Sequence, residues 1–256
     1  MITIALKGNT ACIELDALPI KSPNTSTLYL DAIAEVTSRP QDVIGLHFFS
    51  PANIMRLLEI VRSARTAPDV IATAIKVAKT IRKLPVTVGV CYGFVGNRML
   101  EPYFREGSRL LLEGATPKQV DDVLERFGMA MGIHAMADLA AHHGVTQCSI
   151  DDQEILERCL FPLINEGFLI LEEGIVTRPG DCDLIWVNGY GFPNWRGGPM
   201  HYADEIGLSH ILDRMQHYQR ALGDYGEMWF TPASLLEKLV AQGITLAEHF
   251  SAQDPN

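Results

Sequence analysis

The sequence lacks several features that would assign the protein to a particular class. No apolar run among its 256 residues approaches the roughly 18 that a membrane-spanning helix needs. The first residues have none of the charged, apolar and small-residue regions of a signal peptide. Lys and Arg number 21 against 31 Asp and Glu, so no basic cluster is dense enough to follow a phosphate backbone. We therefore expect a cytoplasmic location, no membrane span and no nucleic-acid partner.

Cysteine is also scarce, and its spacing excludes two kinds of site. The five cysteines form no C-x-x-C pair, and no histidine lies at zinc-ligand spacing from them: Cys12, Cys91, Cys148, Cys159 and Cys182. Disulfides belong to oxidising compartments, so scattered cysteines of odd number are expected to be reduced thiols in the core. We expect no disulfide and no metal site.

Up to about residue 95 the chain alternates strand-like runs with a helix. The runs 43–48, 57–61 and 85–90 are apolar, and 68–83 has helical periodicity. In that helix an apolar stripe leaves three lysines outward, the stripe being Val70, Ile71, Ala74, Ile75, Ala78 and Ile81 and the lysines Lys76, Lys79 and Lys83. A strand, helix, strand order of this kind predicts an α/β sheet.

After residue 95 the pattern is helical and repeats itself. Helices are predicted over 98–113, 117–127 and 152–173, ending at Gly114, Gly128 and Gly174. A shift of 60 residues pairs ten identical residues without a gap: Arg98, Leu100, Pro102, Glu106, Gly107, Leu111, Glu113, Gly114, Asp121 and Leu124 with Arg158, Leu160, Pro162, Glu166, Gly167, Leu171, Glu173, Gly174, Asp181 and Leu184. We expect two related helical units packed on each other.

The match resumes after a six-residue insertion around the segment 192–199. This segment is rich in Pro, Gly and aromatic residues, so it predicts a rigid turn whose rings wedge between the two units. The expected domains are an abridged nucleotide-binding-like α/β domain over 1–95, a first helical unit over 96–150 and a second helical unit over 151–256.

The candidates for chemistry begin with a histidine and a carboxylate. His47 and Glu59 each lie in an apolar strand-like run, an arrangement that can form a desolvated general base with an orienting acid. The alternative is a histidine that is only a satisfied core residue.

Two further polar segments are candidates. The hydroxyl-rich turn 22–27 follows a short apolar segment, so its side chains would project beyond the carboxyl end of a strand, where open α/β sheets bind ligands. Alternatively, Ser and Thr in such a turn bond to their own backbone. Asn97 opens the helical region and is a candidate N-cap on composition alone.

Taken together, four segments resemble one family. Asn24-Thr25-Ser26-Thr27-Leu28, His47-Phe48-Phe49-Ser50-Pro51-Ala52, Leu58-Glu59-Ile60-Val61 and Gly93-Phe94-Val95-Gly96-Asn97-Arg98 are similar to segments of the L-3-hydroxyacyl-CoA dehydrogenases. The variant at Ser50 and the duplicated helical part are most like the dehydrogenase part of the multifunctional fatty-acid β-oxidation enzymes. The resemblance implies an α/β fold with a truncated Rossmann-like sheet, followed by an all-α domain of two related helical units.

The resemblance also implies an activity and its residues. It implies an NAD-dependent oxidoreductase for the 3-hydroxyl of acyl-CoA thioesters, acting as a homodimer. His47 corresponds to the catalytic base, Glu59 to its partner, Ser26 to a donor to the reacting oxygen, and Asn97 to a residue that positions the substrate. Asn24 and Ser50 are the implied cofactor contacts.

The sequence departs from the family at the dinucleotide site. The family holds the pyrophosphate with a GxGxxG turn at a helix N-terminus, but Gly8 is the sole glycine before Gly45. The flanking residues 3–6 and 11–15 predict a β-hairpin around Gly8 instead. Pro23 also replaces a small polar residue and removes a backbone donor. The alternatives are therefore a non-catalytic acyl-CoA-binding or interaction module, or else a gene fragment or a wrongly assigned start.

Overall fold

The chain divides into an α/β part and a helical part. A computed structural model describes residues 4–6, 12–14, 30–49, 52–134 and 150–252, with 4–6 and 12–14 described as backbone only. The α/β part comprises residues 1–97 with 174–177, and the helical part comprises 98–173 with 178–256.

The α/β part contains a small hairpin and a three-stranded sheet. The predicted hairpin is confirmed, because strand β1 (Ile4–Leu6) pairs antiparallel with strand β2 (Cys12–Glu14) in a register that joins Ile4 to Glu14 and Leu6 to Cys12. Its elements in chain order are β1 (Ile4–Leu6), β2 (Cys12–Glu14), α1 (Leu30–Glu35), a 3-10 turn (Pro40–Asp42), β3 (Gly45–Phe48), β4 (Leu57–Arg62), α2 (Pro68–Thr80) and β5 (Leu84–Gly89).

The larger sheet has the order β3-β4-β5. Strand β3 runs antiparallel to β4, whereas β5 is joined to β4 through α2 and runs parallel to it. The predicted α/β sheet is confirmed. Residues 57–61 of β4 are buried, and the strand has no polar alternation because both of its faces are covered.

One face of the sheet packs on α2. The cluster joins β3 and β4 to the helix and comprises Ile44, Leu46, Leu58, Ile60, Ala74 and Ala78, with Phe48, Val70, Ile71 and Ile75 at its edge. Since side chains alternate along a strand, the residues between these, His47 and Glu59 among them, project to the opposite face.

The end of α2 differs from the sequence-based prediction. The helix stops at Thr80, so Ile81 leaves the apolar stripe and is 46% exposed. Lys83, expected to point outward, instead donates from Nζ to the carbonyl oxygens of Ala52 and Met55. Charge-assisted hydrogen bonds to two turn carbonyls stabilise the ammonium group of Lys83 more than an outward position in solvent would. Helical periodicity alone does not predict these bonds.

The described residues of the helical part are mainly helices. They are α3 (Phe94–Glu113), which starts in the α/β part, then α4 (Pro117–Phe127), α5 (Asp152–Glu172), α6 (Pro179–Gly189), a 3-10 turn (Asn194–Arg196), α7 (Pro199–Ile206), α8 (Leu208–Ala221), α9 (Gly223–Trp229), α10 (Ser234–Gln242) and α11 (Leu246–Ser251). The all-α domain is confirmed. The glycines predicted to stop helices, Gly114, Gly128 and Gly174, all have positive φ. Across the described residues, no helix is long and apolar enough to cross a membrane.

The two helical units are joined by the same ion-pair arrangement used twice. Arg158 of α5 donates from Nε to Glu106 (3.2 Å) and from Nη1 to Glu113 (2.5 Å), both on α3. Reciprocally, Arg98 of α3 donates from Nε to Glu166 (2.6 Å) and from Nη1 to Glu173 (2.6 Å). All six residues are among the identities paired by the 60-residue shift. The repeated residues thus form the interface between α3 and α5, where each helix supplies the arginine that binds the other's glutamates.

The two triads also have matching electrostatics. Burial raises the pKa of Glu106 and of Glu166, against the opposing effect of their arginines. In contrast, Arg98 lowers the pKa of Glu173, and the hydrogen bond from Arg158 leaves the pKa of Glu113 below its usual value in spite of burial. In each triad, therefore, burial determines the direction of the pKa shift of one glutamate, and the hydrogen bond to arginine determines that of the other.

The turn between the units is only partly as predicted. Phe192 is buried, and its ring lies 5.6 Å from that of Phe127 in the first unit. Trp195 does not wedge between the units, because it is 68% exposed and stacks under the guanidinium of Arg196. The same guanidinium lies over Phe127, so the arginine fills the place that the indole was expected to take.

Three cysteines have described side chains: Cys91, Cys159 and Cys182. None of the three is joined in a disulfide, as expected, and the last two are buried. Burial raises the pKa of Cys159, which makes it an unreactive core residue.

The burial of the two arginines predicts unequal costs for the same substitution. Arg158 is fully buried and Arg98 is 16% exposed at its side chain. We expect Arg158→Met to lower the free energy of unfolding by about 3–5 kcal/mol, because it removes the buried guanidinium that donates to Glu106. Arg98→Met serves as the matched control and should cost less, since water reaches Glu166 and Glu173. Urea unfolding measures both, and equal losses would contradict this account.

Candidate active site

His47 and Glu59 lie directly opposite each other on neighbouring strands. The antiparallel register of β3 and β4 pairs His47 with Glu59, which explains their twelve-residue spacing. Opposite residues of an antiparallel pair share a face, so both side chains meet on the side away from α2. Nδ1 of His47 is 2.5 Å from Oε2 of Glu59.

Glu59 is held from a second direction by the start of α3. Its other oxygen, Oε1, accepts a hydrogen bond from the backbone N–H of Gly96 at 3.0 Å, and the residue is 0% exposed. Gly96 is in the first turn of this 20-residue helix. Free N–H groups and the positive end of the helix dipole stabilise a negative charge there. The carboxylate thus has a partner for each oxygen.

The imidazole of His47 contacts two aromatic rings. Its centroid is 4.9 Å from the ring of Phe49 and 5.3 Å from the ring of Phe94. In the neutral imidazole, donation from Nδ1 to Glu59 leaves the other ring nitrogen, Nε2, as the acceptor. The ring is nearly buried, and the arrangement suits a base that takes a proton at Nε2.

The remaining predicted site residues fall into two groups. Asn97 lies next to Gly96 in the first turn of α3. It is not the N-cap, because the helix begins at Phe94 and not at residue 98. Ser26, Asn24 and Ser50 lie outside the described residues.

Sequence reasoning missed the parts played by Gly96 and Phe94. Both are in the segment 93–98 that carried the family resemblance, but the donor is a backbone N–H and the ring contact depends on an uncommon backbone conformation. Neither contact produces a periodic pattern in the sequence. The run Gly93-Phe94, with a glycine before an aromatic residue at a helix start, is the signal that could have pointed to them.

The described residues fit the nicotinamide end of a dinucleotide better than its pyrophosphate. A base with an orienting acid is the group that alcohol oxidation requires beside a nicotinamide. In residues 30–49 and 52–97, however, no GxGxxG turn leads from a strand into a helix to hold a pyrophosphate. Over the described ranges, no group of three or more His, Cys, Asp or Glu residues could hold a metal ion.

Two family models match the chain over most of its length. The 3-hydroxyacyl-CoA dehydrogenase NAD binding domain matches residues 15–91. The 3-hydroxyacyl-CoA dehydrogenase C-terminal domain matches residues 93–150 and 155–247.

Similar proteins include peroxisomal enzymes. The peroxisomal bifunctional enzyme of Danio rerio is 39% identical over 299 residues, covering 86% of this chain and 41% of that protein. The human enzyme of the same name is 36% identical and also covers 86% of this chain and 41% of that protein. A peroxisomal fatty acid beta-oxidation multifunctional protein of Arabidopsis thaliana is 31% identical and covers 91% of this chain and 42% of its own length. The chain spans about two fifths of the length of these relatives.

Solved structures agree on the fold. The dehydrogenase part of multifunctional enzyme 1 from C. elegans superposes with a TM-score of 0.58 at 27% identity, covering 84% of this chain and 63% of that one. The 3-hydroxybutyryl-CoA dehydrogenase of Escherichia coli superposes with a TM-score of 0.69 at 18% identity, covering 86% and 75%. The second likeness is one of fold alone.

The burial of Glu59 predicts a large cost for neutralising it. We expect Glu59→Gln to lower the free energy of unfolding by about 2 kcal/mol, because the amide loses charge-assisted bonds to His47 and Gly96. Glu35→Gln is the matched control: it removes an exposed glutamate paired with Arg65 at 3.4 Å and should change stability little. Urea unfolding gives both values. A Glu59→Gln variant as stable as Glu35→Gln would show that the charge of Glu59 does not stabilise the protein.

Proposed function

The chain belongs to the 3-hydroxyacyl-CoA dehydrogenase family, and we propose that it oxidises the 3-hydroxyl group of acyl-CoA thioesters with NAD, in fatty-acid β-oxidation. The observation that carries the proposal is the buried hydrogen bond of 2.5 Å between His47 and Glu59. It fixes the tautomer in which Nε2 can accept a proton, which is what oxidation of an alcohol needs from a base.

The chain's own residues would perform the proton half of the reaction. Nε2 of His47 takes the hydroxyl proton while the C–H bond of the same carbon breaks and its hydride leaves, so the alcohol becomes a ketone. Glu59 then stabilises the imidazolium through Nδ1, and the Gly96 N–H holds the carboxylate in place. Bound NAD supplies the hydride acceptor.

The other residues of the set would bind and orient. We assign Ser26 a hydrogen bond to the reacting oxygen and Asn97 the positioning of the substrate, with Asn24 and Ser50 contacting the cofactor. Asn97 is supported by its place one residue after Gly96, at the helix start that faces Glu59. The roles of Ser26, Asn24 and Ser50 stand on the family resemblance.

A second candidate function is a non-catalytic acyl-CoA-binding or interaction module. The observation that favours it is the sequence before Gly45, which contains Gly8 and no GxGxxG turn. Pyrophosphate contacts are charge-assisted hydrogen bonds of roughly 1.5–3 kcal/mol each, so losing several would weaken cofactor binding by orders of magnitude.

The cytoplasmic location and the homodimer stay predictions. The similar proteins from Danio rerio and human are named as peroxisomal, which is a competing location. For the dimer, the helical units already pair with each other through the two Arg-Glu triads. A second copy would therefore bind at another surface, and sedimentation would give the state in solution.

Turnover tests the dehydrogenase directly. We expect NADH to form from NAD and 3-hydroxybutyryl-CoA, and His47→Gln to lower kcat about 10³-fold because no base remains. The control is His217→Gln, which changes an exposed histidine in α8 and should leave the rate unchanged. Absorbance at 340 nm follows the reaction. No turnover by the unaltered protein at saturating NAD would refute the proposal.

Cofactor affinity separates the two candidate functions. If the chain is a dehydrogenase, calorimetry should detect binding of NAD as well as of acetoacetyl-CoA. Acetoacetyl-CoA binding without NAD binding, at NAD concentrations into the millimolar range, would instead favour the non-catalytic module.

A further inference from the structure

Phe94 has a backbone conformation that is unfavourable for its side chain. Its φ is +52°, and it follows Gly93, whose φ is +73°. Glycine adopts such a conformation without cost, whereas a residue with a Cβ pays roughly 1 kcal/mol or more. Among the described residues, the other positive φ outside glycine belongs to Arg82, in the turn after α2. Strain of this kind persists where the surrounding structure requires it.

The conformation of Phe94 has two effects on the His47–Glu59 pair. It ends the turn after β5 and starts α3, so that the Gly96 N–H reaches Oε1 of Glu59 at 3.0 Å. It also places the Phe94 ring 5.3 Å from the imidazole of His47, at an interplanar angle of 51°. One strained residue thus contacts the base and begins the helix that holds its acid.

The ring contact restrains a motion that the hydrogen bond leaves free. The Cβ–Cγ bond and the hydrogen bond at Nδ1 hold one edge of the imidazole, but small changes in the side-chain torsions still move the opposite edge, which carries Nε2. Phe49 and Phe94 pack against the ring and limit that movement, which keeps Nε2 directed at one point. A displacement of about 1 Å at a reacting group can cost roughly 100-fold in rate.

From this geometry we infer that Phe94 is a positioning residue for proton transfer at His47, an inference that rests on the proposed dehydrogenase function. Phe94 is partly exposed, so the core does not enclose its ring on every side. A glycine at this position would relieve the backbone strain, and a smaller side chain would free the imidazole.

Steady-state kinetics of two variants test the inference. Phe94→Ala removes the ring and keeps the strain, and should lower kcat about 10- to 100-fold while KM for 3-hydroxybutyryl-CoA changes little. Phe94→Leu keeps apolar bulk beside the imidazole and should restore most of that loss. Arg82→Gly is the control, because it relieves the same kind of strain in an exposed turn and should leave kcat unchanged. A normal kcat in Phe94→Ala would overturn the inference.

Nuclear magnetic resonance tests the same point without turnover. The Nδ1 proton of His47, identified by its loss in His47→Gln, should give a downfield signal in the unaltered protein. We expect this signal to broaden or vanish in Phe94→Ala and to return in Phe94→Leu, whether or not the chain oxidises its substrate. An unchanged signal in Phe94→Ala would also overturn the inference. Failure of the proposed function alone would leave this result intact.

The strain itself is checked by stability. Phe94→Gly should have a higher melting temperature than Phe94→Ala, since both lack the ring and only the alanine retains the unfavourable φ. A lower melting temperature for the glycine variant would show that the Phe94 conformation is not strained. The inference that Phe94 is a positioning residue would then lose its argument from strain.

Discussion

The buried carboxylate of Glu59 is the constraint on which the α/β part depends. A charge with no exposure to water must be satisfied on each oxygen, and the two partners come from different elements: His47 on β3 and Gly96 in α3. The sheet register, the place where α3 begins and the orientation of the imidazole are therefore linked. Moving any of these elements would leave a buried charge without a partner.

Much of this arrangement follows from the sequence. The apolar runs around His47 and Glu59 predicted two strands, the stripe in residues 70–81 predicted the helix that follows them, and Gly114 and Gly128 marked helix ends. Predictions of this kind succeed because burial and turn chemistry act locally. The prediction failed at Ile81 and Lys83, where the end of a helix and two turn carbonyls outweigh periodicity.

The parts that could not be predicted depend on contacts between distant residues. The internal repeat identified Arg98, Glu166 and Glu173 as counterparts of Arg158, Glu106 and Glu113, but not that each arginine bonds to the other unit's glutamates. Likewise, the Phe94 conformation, the Gly96 donor and the exposure of Trp195 follow from how the chain is placed in space. Residue identity limits these contacts without specifying them.

The paired triads have a consequence for how this helical part can change over time. A two-fold interface between separate chains must stay self-complementary, because each substitution occurs on both sides at once. Within one chain the two copies vary independently, and association no longer depends on protein concentration. The triads already differ: Tyr225 donates to Glu106 and covers one triad, while Glu173 of the other is about half exposed. The buried triad can thus keep the two helices together, while substitutions at the more exposed triad can change the surface of the protein.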